Sequence, residues 1–342
     1  MLDTIKALCA LSGISGREDV VREYIISQIE GYAEYSTDPL GNLIVFKKGA
    51  QPAKKKVLVD AHMDEVGMIV TYITDDGYLK FAKVGGIDTR VMLGKNVFVG
   101  KNAVSGVVGI KPIHLTDSDK ENDIPDVDEL YIDIGADSAE QAQKYVSLGD
   151  SVWFDSDFTE FGEGMVKARA LDDRVGCAIM IEMIKSEQPF DLWFSFTVQE
   201  EIGTRGAVTG TFNVKPDYAV AVETTTAADI LGVDGEKRVC QLGKGAVVSF
   251  MDRGTIYPKA LYDKAFEIAE KKGIKAQTKT MVAGGNDAAA IHKSGSGVRV
   301  ITVSVPCRYL HSPSCVIKYD DAVESFKLVN SLVAELADDT LD

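Results

Sequence analysis

The residues with most chemical potential in this sequence fall where strand-like runs give way to turns. His62 and Asp64 follow Val57-Leu58-Val59, and Asp172 opens an apolar helical run. Glu200 and Glu201 follow the aromatic and β-branched stretch Trp193–Val198. Glu223 closes Tyr218–Val222, and His311 lies in the loop after Val298–Val303. In an α/β sheet, ligands bind beyond the carboxyl ends of strands. Adjacent carboxylates there suit a metal ligand beside a proton-transfer base. A His followed two residues later by Asp suits a metal-bound imidazole whose ring a carboxylate orients. Two imidazoles and three carboxylates suffice for two divalent ions if one carboxylate bridges. Asp172, Glu201 and Glu223 set three negative charges against four positive ones, and a bridging hydroxide completes neutrality. Without metal, the same carboxylates would repel one another and be forced to protonate. Glu200 is then left free to act as a base. Each feature alone has a plainer reading: a solvated acidic turn, a structural strand-end histidine, a helix cap.

The elements that must position these residues can be read in order. A helix over Asp3–Ala10 precedes a Ser12-Gly13 break. Ser15 is expected to cap a second helix with Val21, Tyr24, Ile25 and Ile29 on one face. Asp38-Pro39-Leu40-Gly41-Asn42 reads as a turn into a strand at Leu43–Phe46. From Met68 to Phe161 the pattern changes to short period-two runs separated by turn signals such as Asp75-Asp76-Gly77. This predicts a β-rich module inserted into an α/β body that resumes at Gly162, the body comprising residues 1–67 and 162–342 and the insertion 68–161. Within the insertion only Ser138–Ser147 looks helical. The tract Thr116–Glu129 superficially resembles a calcium loop but lacks the glycine and terminal Glu at the required offsets, so it reads as a solvated acidic loop.

Composition bounds the function class. The 342 residues exceed one ordinary domain, and 45% hydrophobic with 26% charged residues is usual for a soluble globular protein. A net charge of −15 argues against nucleic acid or an anionic membrane as partner. No apolar run approaches the ~20 residues of a membrane span. The start lacks a signal-peptide pattern. Five cysteines without a Cys-x-x-Cys fit a reduced cytoplasm better than a disulfide framework, so a cytoplasmic location is expected.

Taken together, the stretches Ala61-His-Met-Asp-Glu-Val-Gly67, Gly85-Gly86, Ile132-Asp-Ile-Gly135, Ala170-Leu-Asp-Asp-Arg-Val-Gly176, Gln199-Glu-Glu-Ile-Gly203, Gly284-Gly285-x-Asp287-Ala288 and Arg308-Tyr-Leu-His-Ser-Pro313 occur in the order found in one family. The sequence resembles the dinuclear metal aminopeptidases that include glutamyl, deblocking and tetrahedral aminopeptidases, some relatives carrying cellulase-like or fructose-operon labels. The resemblance runs along nearly the whole chain. It implies an α/β metallopeptidase domain interrupted by a β-rich, PDZ-like dimerisation domain. It also implies two divalent ions, zinc or cobalt, one held by His62, Asp172 and Glu223 and the other by Asp172, Glu201 and His311. Asp172 would bridge, Glu200 would be the general base, Asp64 would support His62, and the Asp172–Asp173 peptide would be cis. Short peptides are the implied substrates, and dimers assembling to a dodecamer the implied homo-oligomer. Three positions depart from the family: Glu223 where Asp is usual, Cys315 where an acidic residue is frequent, and Asn286 where Thr is frequent. The longer Glu223 keeps a dinuclear carboxypeptidase or N-deacylase open as the alternative. A glycoside hydrolase is less well supported, because its two carboxylates must stand about 5–9.5 Å apart across the bond. A non-enzymatic scaffold leaves the polar strand ends unexplained.

Overall fold

The computed structural model describes residues 1–115 and 123–341. Residues 116–122 of the acidic tract lie outside the described residues. Among those described, a mixed sheet of eleven strands and a closed six-stranded barrel account for the strands. The centre of the large sheet is four parallel strands in the order Leu192–Thr197, Val57–His62, Tyr218–Thr226, Arg299–Arg308. Val57–His62 is buried along its whole length and Tyr218–Thr226 at all but its last residue. That is the expected state of strands covered on both faces by helices, and it explains their near-continuous apolar runs. The helices Leu171–Lys185 and Tyr319–Ala337 pack on these strands.

The barrel contains Gly67–Ile73, Leu79–Val84, Asn96–Val99, Val104–Gly109, Tyr131–Asp133 and Ser151–Phe154. Its interior is a hydrophobic cluster separate from that of the sheet, built on Met68, Val70, Leu79, Phe81, Val97 and Ile132. Alternation along these strands puts such residues inward and polar ones outward. Thr159–Phe161, which the sequence pattern places with the insertion, pairs instead with Met165–Ala168 at the edge of the large sheet. In the expected Ser138–Ser147 helix, only Ala139–Ala142 is helical, capped by Ser138. The expectation for Ser15 is overturned. The second helix begins at Asp19 with no side-chain cap, and the Ser15 hydroxyl donates to Asp64 at 2.6 Å. With the helix starting at Asp19, Ser15 lies too far upstream to accept from its first N–H groups, and its hydroxyl instead donates a charge-assisted bond to the buried carboxylate. No described helix is long and apolar enough to cross a membrane.

Candidate metal centre

The parallel register brings the strand ends together. Thr197 stands opposite His62, and Asp60 stands opposite Ala221, so Glu223 lies two residues further along, level with His62. Opposite them the helix Leu171–Lys185 starts irregularly: Asp172 and Asp173 have non-helical backbone angles and the peptide between them is cis. The structure thus gathers His62, Asp172, Glu201, Glu223 and His311. Asp172 Oδ1 is 3.4 Å from His62 Nε2, while its Oδ2 is 3.3 Å from His311 Nε2. Glu223 Oε2 lies 3.7 Å from His62 Nε2, and Glu201 Oε2 lies 3.2 Å from His311 Nε2. Both imidazoles fix their other nitrogen on a carbonyl: His62 Nδ1 donates to Asp64 O at 3.0 Å, and His311 Nδ1 to Gly86 O at 2.9 Å. Such partners set the tautomer that leaves Nε2 free to ligate.

Asp64 does more than face His62. Its Oδ1 is 3.5 Å from the ring, but the same oxygen accepts from Glu200 N at 2.9 Å, and Oδ2 accepts from Glu201 N at 3.1 Å and from Ser15. The carboxylate chiefly holds the backbone of the Glu200–Glu201 turn. Behind it, Glu65 pairs with the buried Arg169, and Arg174 donates to Met63 O at 2.8 Å and Leu8 O at 2.7 Å. These bonds lock the His62–Glu65 segment to the first helix.

Burial, resisted by the nearby imidazoles and reinforced by neighbouring carboxylates, lifts Glu200 and Glu223 well above the usual carboxylate range. Burial and the charge of Asp172 take Glu201 to about 8. Asp172, by contrast, overcomes burial through His311 and His62 and stays below the usual range. Burial opposes charge on His311, yet Asp172 and Glu201 carry it up to about 10. Burial, with Asp64 adding to it, pushes Glu18 up to about 7. So many acids in one buried volume ask for a cation. The donor set fits one: His62 with Asp173 and Glu223, and His62 with Asp172 and Glu201, each present ligand atoms within 4.8 Å of one another. Glu201 Oε1 and Glu223 Oε1 are buried with no hydrogen-bond partner, so they are available to a metal.

A cavity of about 970 Å³ opens over this cluster, bounded by Asp88 and Arg90 on the barrel side and by Thr224, Lys279 and Asn286 on the other. Sequence reasoning gave no role to Asp60 or to Asp287, which lie buried against each other behind the cluster; Thr197 donates to Asp287 at 2.6 Å. The available signal was spacing, since Asp60 precedes His62 by two and shares its face of the strand. Asp173, read as the start of a helix, stands among the potential ligands. Lys279, buried with its ammonium on Ala283 O at 2.8 Å, carried no sequence signal.

A parallel-stranded α/β body with imidazoles and carboxylates clustered at its strand ends is built to hold metal beyond those ends. The family model for M42 glutamyl aminopeptidase matches residues 41–328. A lysyl aminopeptidase of Pyrococcus furiosus is 33% identical, over 98% of this chain and 97% of that protein. Among solved structures, a TET aminopeptidase from a marine-sediment thaumarchaeote superposes with a TM-score of 0.95 at 32% identity, covering 99% of this chain and 97% of the other. The TET1 peptidase of Pyrococcus horikoshii, which can assemble into a tetrahedron or a large octahedral shell, gives 0.86 at 37% identity, with 97% and 98% covered. The chain belongs to the M42 glutamyl aminopeptidase family. It is a metal-dependent aminopeptidase.

Proposed function

We propose that the protein removes N-terminal residues from short peptides with two divalent ions, zinc or cobalt. In this reading His62 and Glu223 would hold one ion and Glu201 and His311 the other, with Asp172 shared between the two sites. The observation that carries it is Asp172, whose two carboxylate oxygens each face a different imidazole, at 3.4 and 3.3 Å. When bound, the ions supply an activated water and polarisation of the scissile carbonyl. The chain's own residues do the rest. Glu200 lines the cavity, takes the proton of the attacking water and returns it to the leaving amine. Asp64 keeps His62 and the Glu200–Glu201 turn in register. The cavity is at the upper end of what a small-molecule or short-peptide ligand fills.

The same reading assigns residues 1–67 and 162–342 to the catalytic domain and 68–161 to an inserted PDZ-like domain that makes the dimer contact, its separate hydrophobic core being the support. Dimers building a dodecamer belong to the same reading, supported by the dodecamer seen for a solved TET1 relative. Five buried, unbridged cysteines suit a cytoplasmic location.

Glu223 favours one second reading, since its extra methylene relative to Asp changes how the carboxylate reaches an ion: a carboxypeptidase or N-deacylase. One digest followed by mass spectrometry separates them, using a peptide supplied with free ends, N-acetylated and C-amidated. Aminopeptidase action shortens the free and amidated forms from the N-terminus and spares the acetylated one. Loss of C-terminal residues, or release of acetate alone, moves the assignment to the second reading.

A further inference from the structure

The turn that carries Glu200 and Glu201 has no ladder of its own. The preceding strand ends at Thr197 and the next helix begins at Arg205. Four consecutive backbone N–H groups cross this gap, and every one is taken by a side chain from the first 64 residues. Val198 donates to Asn42 Oδ1 at 3.0 Å, Gln199 to Glu18 Oε1 at 3.1 Å, and Glu200 and Glu201 to the two oxygens of Asp64. Gln199 has φ +57°, a left-handed conformation that a residue with a Cβ adopts only when its surroundings impose it.

Two of these acceptors are buried and stand apart from the cavity wall. Glu18 is 5% exposed, and its Oε1 also accepts from Gly16 N at 2.7 Å, so one oxygen ties two chain segments together. Asn42 is fully buried and uses both ends of its amide. Its Nδ2 donates to Asp38 Oδ2 at 2.7 Å, to Gly206 O at 2.9 Å and to Thr209 Oγ1 at 2.7 Å. Asp38 is in turn fixed by the N–H groups of Leu40, Gly41 and Asn42. The Asp38–Asn42 turn therefore presents Asn42 in a set orientation to the end of the strand.

We propose that Glu18 and Asn42 are positioning residues for the hydrolytic step: they hold Val198 and Gln199 so that Glu200 projects into the cavity. This rests on Glu200 as the base. Neither residue touches the cavity, so their loss acts on turnover and leaves substrate affinity alone. The group that matters at position 18 is an acceptor oxygen, and the side-chain carbonyl of glutamine supplies one.

The test compares Glu18→Ala and Glu18→Gln in the metal-loaded protein, with kcat and KM on a free-ended peptide, bound metal by emission spectroscopy, and thermal stability. Glu18→Ala is expected to lower kcat at least tenfold, with KM within twofold and metal content unchanged. Glu18→Gln is expected to keep kcat within threefold of wild type. The proposal is overturned if Glu18→Ala keeps its kcat, if its activity falls only in step with lost metal or lost fold, or if Glu18→Gln is as impaired as Glu18→Ala. Asn42→Ala, should it fold, is expected to repeat the kcat loss at unchanged KM. Glu200→Gln run alongside separates the two claims, because turnover surviving in that variant refutes the base assignment whatever Glu18→Ala does.

Discussion

Replacing Asp64 by Asn is the sharpest probe of how the centre is held. The exchange is nearly isosteric, but it turns one of two acceptor oxygens into an NH₂ donor. If Nδ2 takes the place of Oδ1, it faces the Glu200 N–H, at 2.9 Å in the native protein. If it takes the place of Oδ2, the Ser15 hydroxyl can rotate to accept, but the Glu201 N–H, native distance 3.1 Å, cannot. Either orientation leaves a buried N–H against another donor. An unsatisfied buried donor costs about 1–3 kcal/mol, and bonds to a charged acceptor lose more than neutral ones. That cost weighs on the folded protein, so if all of about 3 kcal/mol were transferred to the barrier, at about 1.4 kcal/mol per factor of ten, kcat/KM would fall by at most roughly 10²-fold. Part of that loss appears as weaker metal binding, since the turn held by this carboxylate carries Glu201, and loss of such an outer partner typically lowers affinity about 10–100-fold. Steady-state kinetics at saturating metal, with a parallel metal titration, measure both parts. An Asp64→Asn protein with kcat/KM within threefold of wild type and unchanged metal affinity would refute the reasoning.

Three further outcomes follow from the same geometry. Chelation is expected to abolish peptide hydrolysis and a divalent ion to restore it; full activity in exhaustively demetallated protein contradicts the metal reading. Gly206→Ala places a Cβ 2.3 Å from Asn42 Oδ1 and 2.4 Å from Val198 O, so thermal denaturation should show a loss of about 1–3 kcal/mol, the usual scale of overpacking. Burial pushes Asp321 up to about 6 despite bonds from Gly243 N and Gly245 N at 2.6 and 2.7 Å. A carboxyl raised on folding contributes stability that is complete below its unfolded value of about 3.9 and is lost as pH rises through the folded one. The Tm of wild type minus that of Asp321→Asn should therefore fall between pH 4 and pH 6, and a constant difference removes Asp321 from the account.

What could be read from sequence was whatever repeats at short range. A buried strand followed by polar residues and a glycine occurs at His62 and again at Glu200, and the parallel register then aligns those ends without further information. The period-two segments after Gly67 gave the barrel strands for the same reason. The helix Arg205–Val214 was not read from the sequence; within it Gly206 is glycine because Asn42 and the Val198 backbone leave no room for a Cβ. Ser15 was misread because its partner lies 49 residues away. Glu18 reaches Gln199 across 181 residues, a separation at which no local pattern carries information.

The bond from His311 to Gly86 O has a wider consequence. Gly86 follows the barrel strand Leu79–Val84, whereas His311 follows the last central strand of the sheet. With His311 as a ligand, metal affinity and the seating of the barrel against the sheet become linked quantities. Linkage is reciprocal: whatever tightens that seating tightens the metal by the same free energy, and loading the metal steadies the seating in return. A neighbouring subunit bearing on the barrel would change the metal dissociation constant without touching a ligand, and metal supply would in turn change how strongly the subunits hold together.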